Sequence, residues 1–184
     1  MPPLADRITL LSFIPESDVP FEAGESKMIF LKNSELYLGI HKYQGKIAEP
    51  FVLTAGKYVV QVPADSEVFL EEGEFTKIRL SEDSIVKACG QEFSCSGRIS
   101  FRYYNKPDSL SFTTVKEHPL TTEKVSINCP PETDIAIINN KIQRICVKEH
   151  TAFSSGSEQI NLKPGNAVVF ADDGSVERII EQLK

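Results

Sequence analysis

The sequence predicts an all-β protein built from tandem copies of one short β-rich unit. Apolar and polar residues alternate with a period of two along most of the chain, and turn residues interrupt the alternation at short intervals. In addition, the sequence matches itself at a fixed spacing. A period of two places successive side chains on opposite faces of a strand, and many short strands with regular turns are typical of a sandwich, a barrel or a prism-like body.

The strand pattern is clearest in the middle of the chain. Residues 58–62 alternate before Pro63, and residues 67–71 alternate before an acidic turn. The segments 99–104 and 110–115 are rich in the aromatic and β-branched residues that strands favour. We therefore expect strands in each of these segments.

A short C-terminal helix is the one exception that the pattern suggests. Val176, Ile179, Ile180 and Leu183 recur at the spacing of an amphipathic helix within residues 175–184. A β-strand is the alternative, and the sequence leaves both open.

The internal match relates the second and third parts of the chain. Residues 57–70 fall on residues 124–137 without a gap when the chain is shifted by 67 positions (130 − 63), a shift that we call the repeat spacing. The aligned pairs keep their chemical character and their position on the inner or outer face. Pro63 and Pro130 coincide, and proline ends a strand because it lacks an N–H group. The Ser or Thr that follows is expected to bond its own backbone and close the turn.

A shorter match extends the pattern to the N-terminus. Residues 14–21 resemble residues 62–70 with one deletion, and residues 27–36 resemble residues 77–86. The prediction is therefore three units, at 1–55, 56–121 and 122–184. The alternative is that alternating strands joined by acidic turns resemble each other by chance.

Composition and charge exclude several classes of protein. The chain has 184 residues, a formal net charge of −6 and 41% hydrophobic residues, which is typical of a water-soluble globular protein. Basic residues form no stripe, so nucleic acid is not an expected partner. No segment has the length of a membrane span or the pattern of a signal peptide. We therefore expect a protein that is cytoplasmic or part of an assembled particle, with no membrane partner.

The cysteines and histidines do not form a recognisable metal or catalytic set. The four cysteines are too far apart for the close pairs of a structural zinc site, although a Cys89–Cys95 disulfide stays open. Two of the three histidines occur in the same tetrapeptide, Val-Lys-Glu-His, ending at 118 and 150. Neighbouring Glu and His point to opposite faces of a strand, so they do not chelate one metal together. No metal and no cofactor are predicted.

Enzymatic motifs are also missing from the sequence. It contains no glycine-rich phosphate loop and no Gly-x-Ser-x-Gly nucleophile motif. Enzymatic activity is not excluded, but a non-enzymatic role fits the sequence better.

The predicted binding or interface site is the segment Arg102, Tyr103, Tyr104 and Asn105, because interfaces favour Tyr and Arg. The leading hypothesis is a structural or assembly protein, such as a viral or phage particle component or another homo-oligomer, with copies of itself or other protein subunits as partners. The alternative is a small-molecule or carbohydrate-binding β-barrel module. The segments 99–104 and 167–171 lie either in the core or at the interface between copies. If both lie inside one chain, the binding module becomes the better hypothesis.

Overall fold

The computed structural model describes residues 11–23, 26–39, 41–103 and 107–181. In these residues the chain forms β-strands and no helix, so the all-β prediction is confirmed. The strands are β1 (Leu11–Phe13), β2 (Val19–Ala23), β3 (Ser26–Phe30), β4 (Leu36–Gly39), β5 (Lys42–Lys46), β6 (Phe51–Ala55), β7 (Tyr58–Val62), β8 (Glu67–Glu71), β9 (Glu74–Arg79), β10 (Ser84–Ala88), β11 (Gln91–Tyr103), β12 (Pro107–Thr114), β13 (His118–Thr121), β14 (Ser126–Cys129), β15 (Asp134–Ile138), β16 (Lys141–Cys146), β17 (Thr151–Ser155), β18 (Glu158–Leu162), β19 (Ala167–Phe170) and β20 (Val176–Ile180).

The suggested C-terminal helix is not present in the described residues, where Val176–Ile180 is strand β20. This strand pairs antiparallel with β19, and Ile179 lies opposite Val168. Its β-branched residues favour a strand. Pairing with β20 also satisfies the backbone groups of β19 that would have no partner if residues 176–180 formed a helix.

One large antiparallel sheet holds fourteen of these strands. Its main path runs β1-β4-β5-β8-β9-β11-β12-β15-β16-β19-β20, with β10, β7 and β6 on a branch from β11. The pairs β2–β3, β13–β14 and β17–β18 form separate two-stranded sheets. Within the described ranges the path is open, and β1 and β20 are its end strands.

A single apolar core draws residues from almost all of the strands. The period-two prediction is confirmed in β7, where Tyr58, Val60 and Val62 are buried and alternate with more exposed neighbours. Gly45 of β5 lies in a part of this core with no spare volume. A Cβ atom at this glycine would lie 2.8 Å from side-chain carbons of both Leu36 and Phe30.

The strand pairing of the hairpin β8–β9 recurs in β15–β16, displaced by the repeat spacing. In β8–β9, Phe69 lies opposite Lys77, and Leu70 lies opposite Phe75 after a bulge. In β15–β16, the corresponding pairs across a bulge are Ala136 with Arg144 and Ile137 with Ile142. The pairing between successive hairpins recurs in the same way, as β5 with β8 and β12 with β15.

The N-terminal hairpin differs from the sequence alignment. Hairpins β2–β3, β10–β11 and β17–β18 each join five residue pairs through a two-residue connection. Residues 26–30 therefore correspond in pairing to residues 91–95. The alignment of residues 27–36 with residues 77–86 is wrong in register, because short alternating segments match equally well at several shifts.

Three turns are joined to a neighbouring strand by a reciprocal pair of backbone hydrogen bonds, which we call turn clamps. In each clamp, the N–H of a turn residue with positive φ donates to the carbonyl of a second residue, which lies at the end of a strand or just beyond it. The N–H of that second residue donates back to the carbonyl of a buried polar residue in the turn. The bonds are Asp65 N to Ile47 O (2.9 Å) with Ile47 N to Ser66 O (3.0 Å), Glu132 N to Thr114 O (2.8 Å) with Thr114 N to Thr133 O (3.0 Å), and Gly165 N to Val147 O (2.7 Å) with Val147 N to Asn166 O (3.2 Å).

The predicted closing of the proline turns is confirmed at Thr133, whose hydroxyl donates to the carbonyl of Pro130 at 2.7 Å. Ser66 behaves differently. Its hydroxyl oxygen accepts a bond from the N–H of Ser81 at 3.2 Å, across to the turn after β9. The two turns thus share backbone geometry but use their hydroxyls in different ways.

The core predicts a large cost for one charged substitution. Val68 is fully buried, whereas Val52 is 59% exposed. We expect Val68→Asp to lower the free energy of unfolding by about 4 kcal/mol or more, because it buries an unpaired charge. Urea unfolding at neutral pH measures this, with Val52→Asp as the matched control, for which we expect a change within about 1 kcal/mol. Equal losses in the two variants would contradict the assignment of β8 to the core.

Candidate functional site

The predicted site at residues 102–105 is only partly described. Arg102 is exposed on β11, where its backbone lies opposite Ser109 of β12. Tyr103 is the last residue of β11, and Tyr104 and Asn105 lie outside the described residues. Binding at this segment therefore stays a prediction.

The described parts of the two segments expected in the core or at an interface are strands of the large sheet. Residues 99–103 belong to β11, which is paired with β12 and, as far as Ser100, also with β9. Ala167–Phe170 is strand β19, buried at all four positions between β16 and β20. β19 therefore has no free edge in the described part of the chain, whereas an interface at residues 99–104 stays a prediction.

His118 lies in a packed environment and not in a solvated turn. It begins β13, and its ring centroid lies 4.5 Å from that of Phe93. Burial lowers the pKa of His118, and its Nε2 atom is buried without a hydrogen-bond partner in the described structure. His41 and His150 are exposed in turns. No group of three His, Cys, Asp or Glu side chains that could hold a metal ion occurs among the described residues.

All four cysteines are free thiols. Cys89 lies in the turn of hairpin β10–β11, and Cys95 lies at the other end of that hairpin, four strand residues beyond Gln91 or roughly 13 Å, which is too far for a disulfide. Burial raises the pKa of Cys89 to about 11 and those of Cys95 and Cys129 to about 12. These thiols are protonated at neutral pH, and a protonated thiol is a poor nucleophile.

One cavity, of about 260 Å³, lies among the turns at one end of the sheet. Its polar groups bond to one another. The Cys89 N–H donates to Asn140 Oδ1 at 2.9 Å, and the Thr122 hydroxyl donates to the Gly174 carbonyl at 2.7 Å. Lys141 Nζ donates to the carbonyl of Asp172 at 2.6 Å. These bonds tie the turns together, so the cavity has a structural explanation.

A second cavity, which we call the sheet-face cleft, lies on the outer face of the large sheet. It measures about 360 Å³, and Arg98 of β11 and Arg144 of β16 both line it. Small side chains, including Ser100, Ser111 and Ala136, also line it. No sequence pattern singles out these residues, because the two arginines are 46 positions apart (144 − 98) and only the strand order brings them together.

Comparison with known proteins adds no functional information. No protein family, curated protein or solved structure matches the chain. In the described residues, no helix is long and apolar enough to cross a membrane.

The buried thiols predict a loss of stability at alkaline pH. A thiol whose pKa is raised to about 12 in the folded state keeps its proton, whereas the unfolded thiol loses its proton near its ordinary pKa of 9.0. The stabilisation by each thiol is therefore complete below pH 9.0 and is lost as the pH rises from 9.0 towards 12. We expect the urea midpoint to fall between about pH 8 and pH 10.5, at a cost of roughly 1–2 kcal/mol per thiol.

The control for this pH dependence is the double variant Cys95→Val/Cys129→Val, which removes both thiols. Valine suits the core because Val62, which precedes Cys129 by the repeat spacing, is buried. The variant should show a shallower loss over the same pH range in the same urea titration. Identical pH dependence in the variant and the natural chain would show that these thiols do not cause it.

Proposed function

We propose that this chain is a non-enzymatic structural protein that assembles with copies of itself through the free edge of β20. The observation that carries the proposal is that the end strand β20 has exposed apolar residues. The matching strands β5 and β12 each have a neighbouring strand on that side. The proposed interface differs from the segments 99–104 and 167–171 that sequence patterns suggested. The described parts of those segments are strands within the sheet, so the uncovered edge of β20, and neither of them, is what keeps self-assembly ahead of the ligand-binding alternative.

The pairing between successive hairpins supports this proposal. β5 is covered on one side by β8, with Lys42 opposite Glu71, and β12 is covered by β15, with Ser109 opposite Ile138. Ser109 and Ile138 follow Lys42 and Glu71, respectively, by the repeat spacing. The same shift leads from Ser109 to Val176, where β20 begins, yet in the described structure β20 pairs with β19 alone. Among the matching strands β5, β12 and β20, β20 is therefore the one that has no neighbouring strand on its second side in the described structure.

Exposure of the side chains agrees with a missing cover. Ile179 lies opposite the fully buried Val168, so both side chains are on the inner face of the sheet. The residue that precedes Ile179 by the repeat spacing is Phe112, which is 3% exposed and lies opposite Ile135 of β15. Ile179 is 40% exposed. An added strand beside β20 would bury it as β15 buries Phe112.

We propose that the partner of the β20 edge is a second copy of the chain. A two-fold axis beside β20 would pair it with β20 of the other copy, and such an isologous contact closes at a dimer. Unpaired edge strands with exposed apolar residues are prone to such pairing, and the two charged residues of β20, Glu177 and Arg178, are of opposite sign. Leu11 and Phe13 of β1, at the other end of the sheet, are also exposed, which supports association at the sheet ends.

Tandem organisation is part of the same proposal. The recurrence of strand pairs and bulges at the repeat spacing supports units close to 1–55, 56–121 and 122–184. The boundaries at 55 and 121 fall within the hairpins β6–β7 and β13–β14. Units that begin at Phe51 and His118 keep each hairpin whole, and we propose these starts as the better boundaries.

A lysine on β20 tests the proposed interface. We expect the natural chain to sediment as a dimer and Ile179→Lys to sediment at the monomer mass of 20.5 kDa at the same concentration. Natural proteins block edge strands with lysine in this way. Loss of two buried isoleucine contacts predicts a dissociation constant weaker by at least about 100-fold.

The matched control is Val52→Lys, which places the same charge on another exposed aliphatic residue. This variant should remain a dimer, and circular dichroism should show that both variants fold. A strictly monomeric natural chain at high micromolar concentration would refute the proposal. So would a dimer that Val52→Lys dissociates and Ile179→Lys does not.

A further inference from the structure

We propose that the sheet-face cleft binds a small phosphate-bearing ligand between Arg98 and Arg144. This inference concerns a different surface from the proposed interface and does not depend on self-assembly. It follows from the strand register, the distribution of charge and the size of the cleft.

The register gives the cleft its floor. Ser100, Ser111, Ala136 and Arg144 are successive partners across β11, β12, β15 and β16, so their side chains lie in one row on the same face. Arg144 stands two strands, or about 10 Å, from Ser111. The three small residues between the arginines leave a depression that a larger side chain would fill.

A bulge in β11 positions the second arginine. The pairing of β11 with β12 shifts between Ser96 and Ser100, where Gly97 has a φ of +70°. Arg98 within this bulge lies opposite Arg79 of β9. Like charges directly opposite each other on neighbouring strands are destabilising, and bulges commonly redirect a side chain at a functional site. Glu67 neutralises Arg79, whereas a bound anion in the cleft would supply the negative charge that Arg98 lacks.

Nearby carboxylates are already engaged by other groups. Glu67 accepts from Arg79 Nη1 at 2.9 Å, and Asp134, which also lines the cleft, accepts from Lys148 Nζ at 2.9 Å and from the Thr113 hydroxyl at 2.7 Å. Arg98 and Arg144 form no ion pair with any carboxylate in the described ranges.

The basic character of the face extends to Lys77, which lies opposite Ser100. The pKa of Lys77 is lowered by burial and, to a smaller extent, by the neighbouring charges of Arg79 and Arg98. Its ammonium group lies 3.6 Å from the ring centroid of Phe69. In a chain with a net charge of −6, this face therefore concentrates positive charge.

Phosphate fits this arrangement in chemistry and in size. Arginine binds phosphate oxygens through two parallel N–H groups, and the floor serines add hydroxyl donors. A volume of about 360 Å³ is that of a small-ligand pocket. A nucleic-acid strand would require a longer basic track, which one cleft on an acidic protein does not provide.

Calorimetric titration with inorganic pyrophosphate at low ionic strength tests the site. We expect saturable binding of one pyrophosphate per chain. Arg98→Gln and Arg144→Gln should each weaken the affinity at least about tenfold, because each removes charge-assisted hydrogen bonds. Ala136→Leu should also abolish binding, since it fills the floor without changing the charge.

The control is Lys57→Gln, which removes one positive charge from an exposed turn away from the cleft. Its affinity should stay within about twofold of the natural chain. Absence of saturable binding by the folded natural chain overturns the proposal. Equal weakening by Lys57→Gln and Arg98→Gln also overturns it, because that result indicates diffuse attraction. Binding of heparin without binding of pyrophosphate overturns it in favour of a polyanion surface.

Discussion

The fold depends on the turn clamps, because each of them fixes the register of two strands in the large sheet. Ile47 and Ser66 directly adjoin the pair Lys46–Glu67, which belongs to β5–β8. The other two clamps adjoin the corresponding pairs of β12–β15 and β16–β19 in the same way. A slip of one residue would break both clamp bonds and turn the core face of the strand outwards. Buried polar groups left without partners cost about 1–3 kcal/mol each, so the clamps specify the order of the sheet as well as stabilising it.

Because the register is fixed, residues distant in sequence lie at defined places on the two faces and the ends of the sheet. The inner face is occupied by the apolar core, and acidic residues are frequent in the turns. The outer face between β9 and β16 carries a group of cations, of which Lys77, Arg98 and Arg144 have no ion pair in the described part. The edge of β20 carries exposed apolar residues beside Glu177 and Arg178. The two surfaces lie at different places on the sheet, so the proposed anion binding and the proposed self-association need not compete.

The strands were predictable because alternation is a local signal that each segment carries. The proline turns and the repeat spacing were also readable, since Pro63 and Pro130 lie in matching contexts. The C-terminal segment was ambiguous because the spacing of Val176, Ile179 and Ile180 fits a helix, while β-branched side chains fit a strand. Only pairing with β19 decides between them. The cleft was not predictable, because Arg98 and Arg144 meet through the order of four strands, which no local pattern encodes.

Gly45 has a consequence for exchanging residues between matching strands. By strand pairing, Phe30 and Gly45 correspond to Cys95 and Phe112. In each pair one position holds a phenylalanine and the other a small residue, but the phenylalanine stands at opposite positions in the two. Moving a single residue from one pair into the other would therefore create a clash or a cavity, and only moving both members together would preserve the packing.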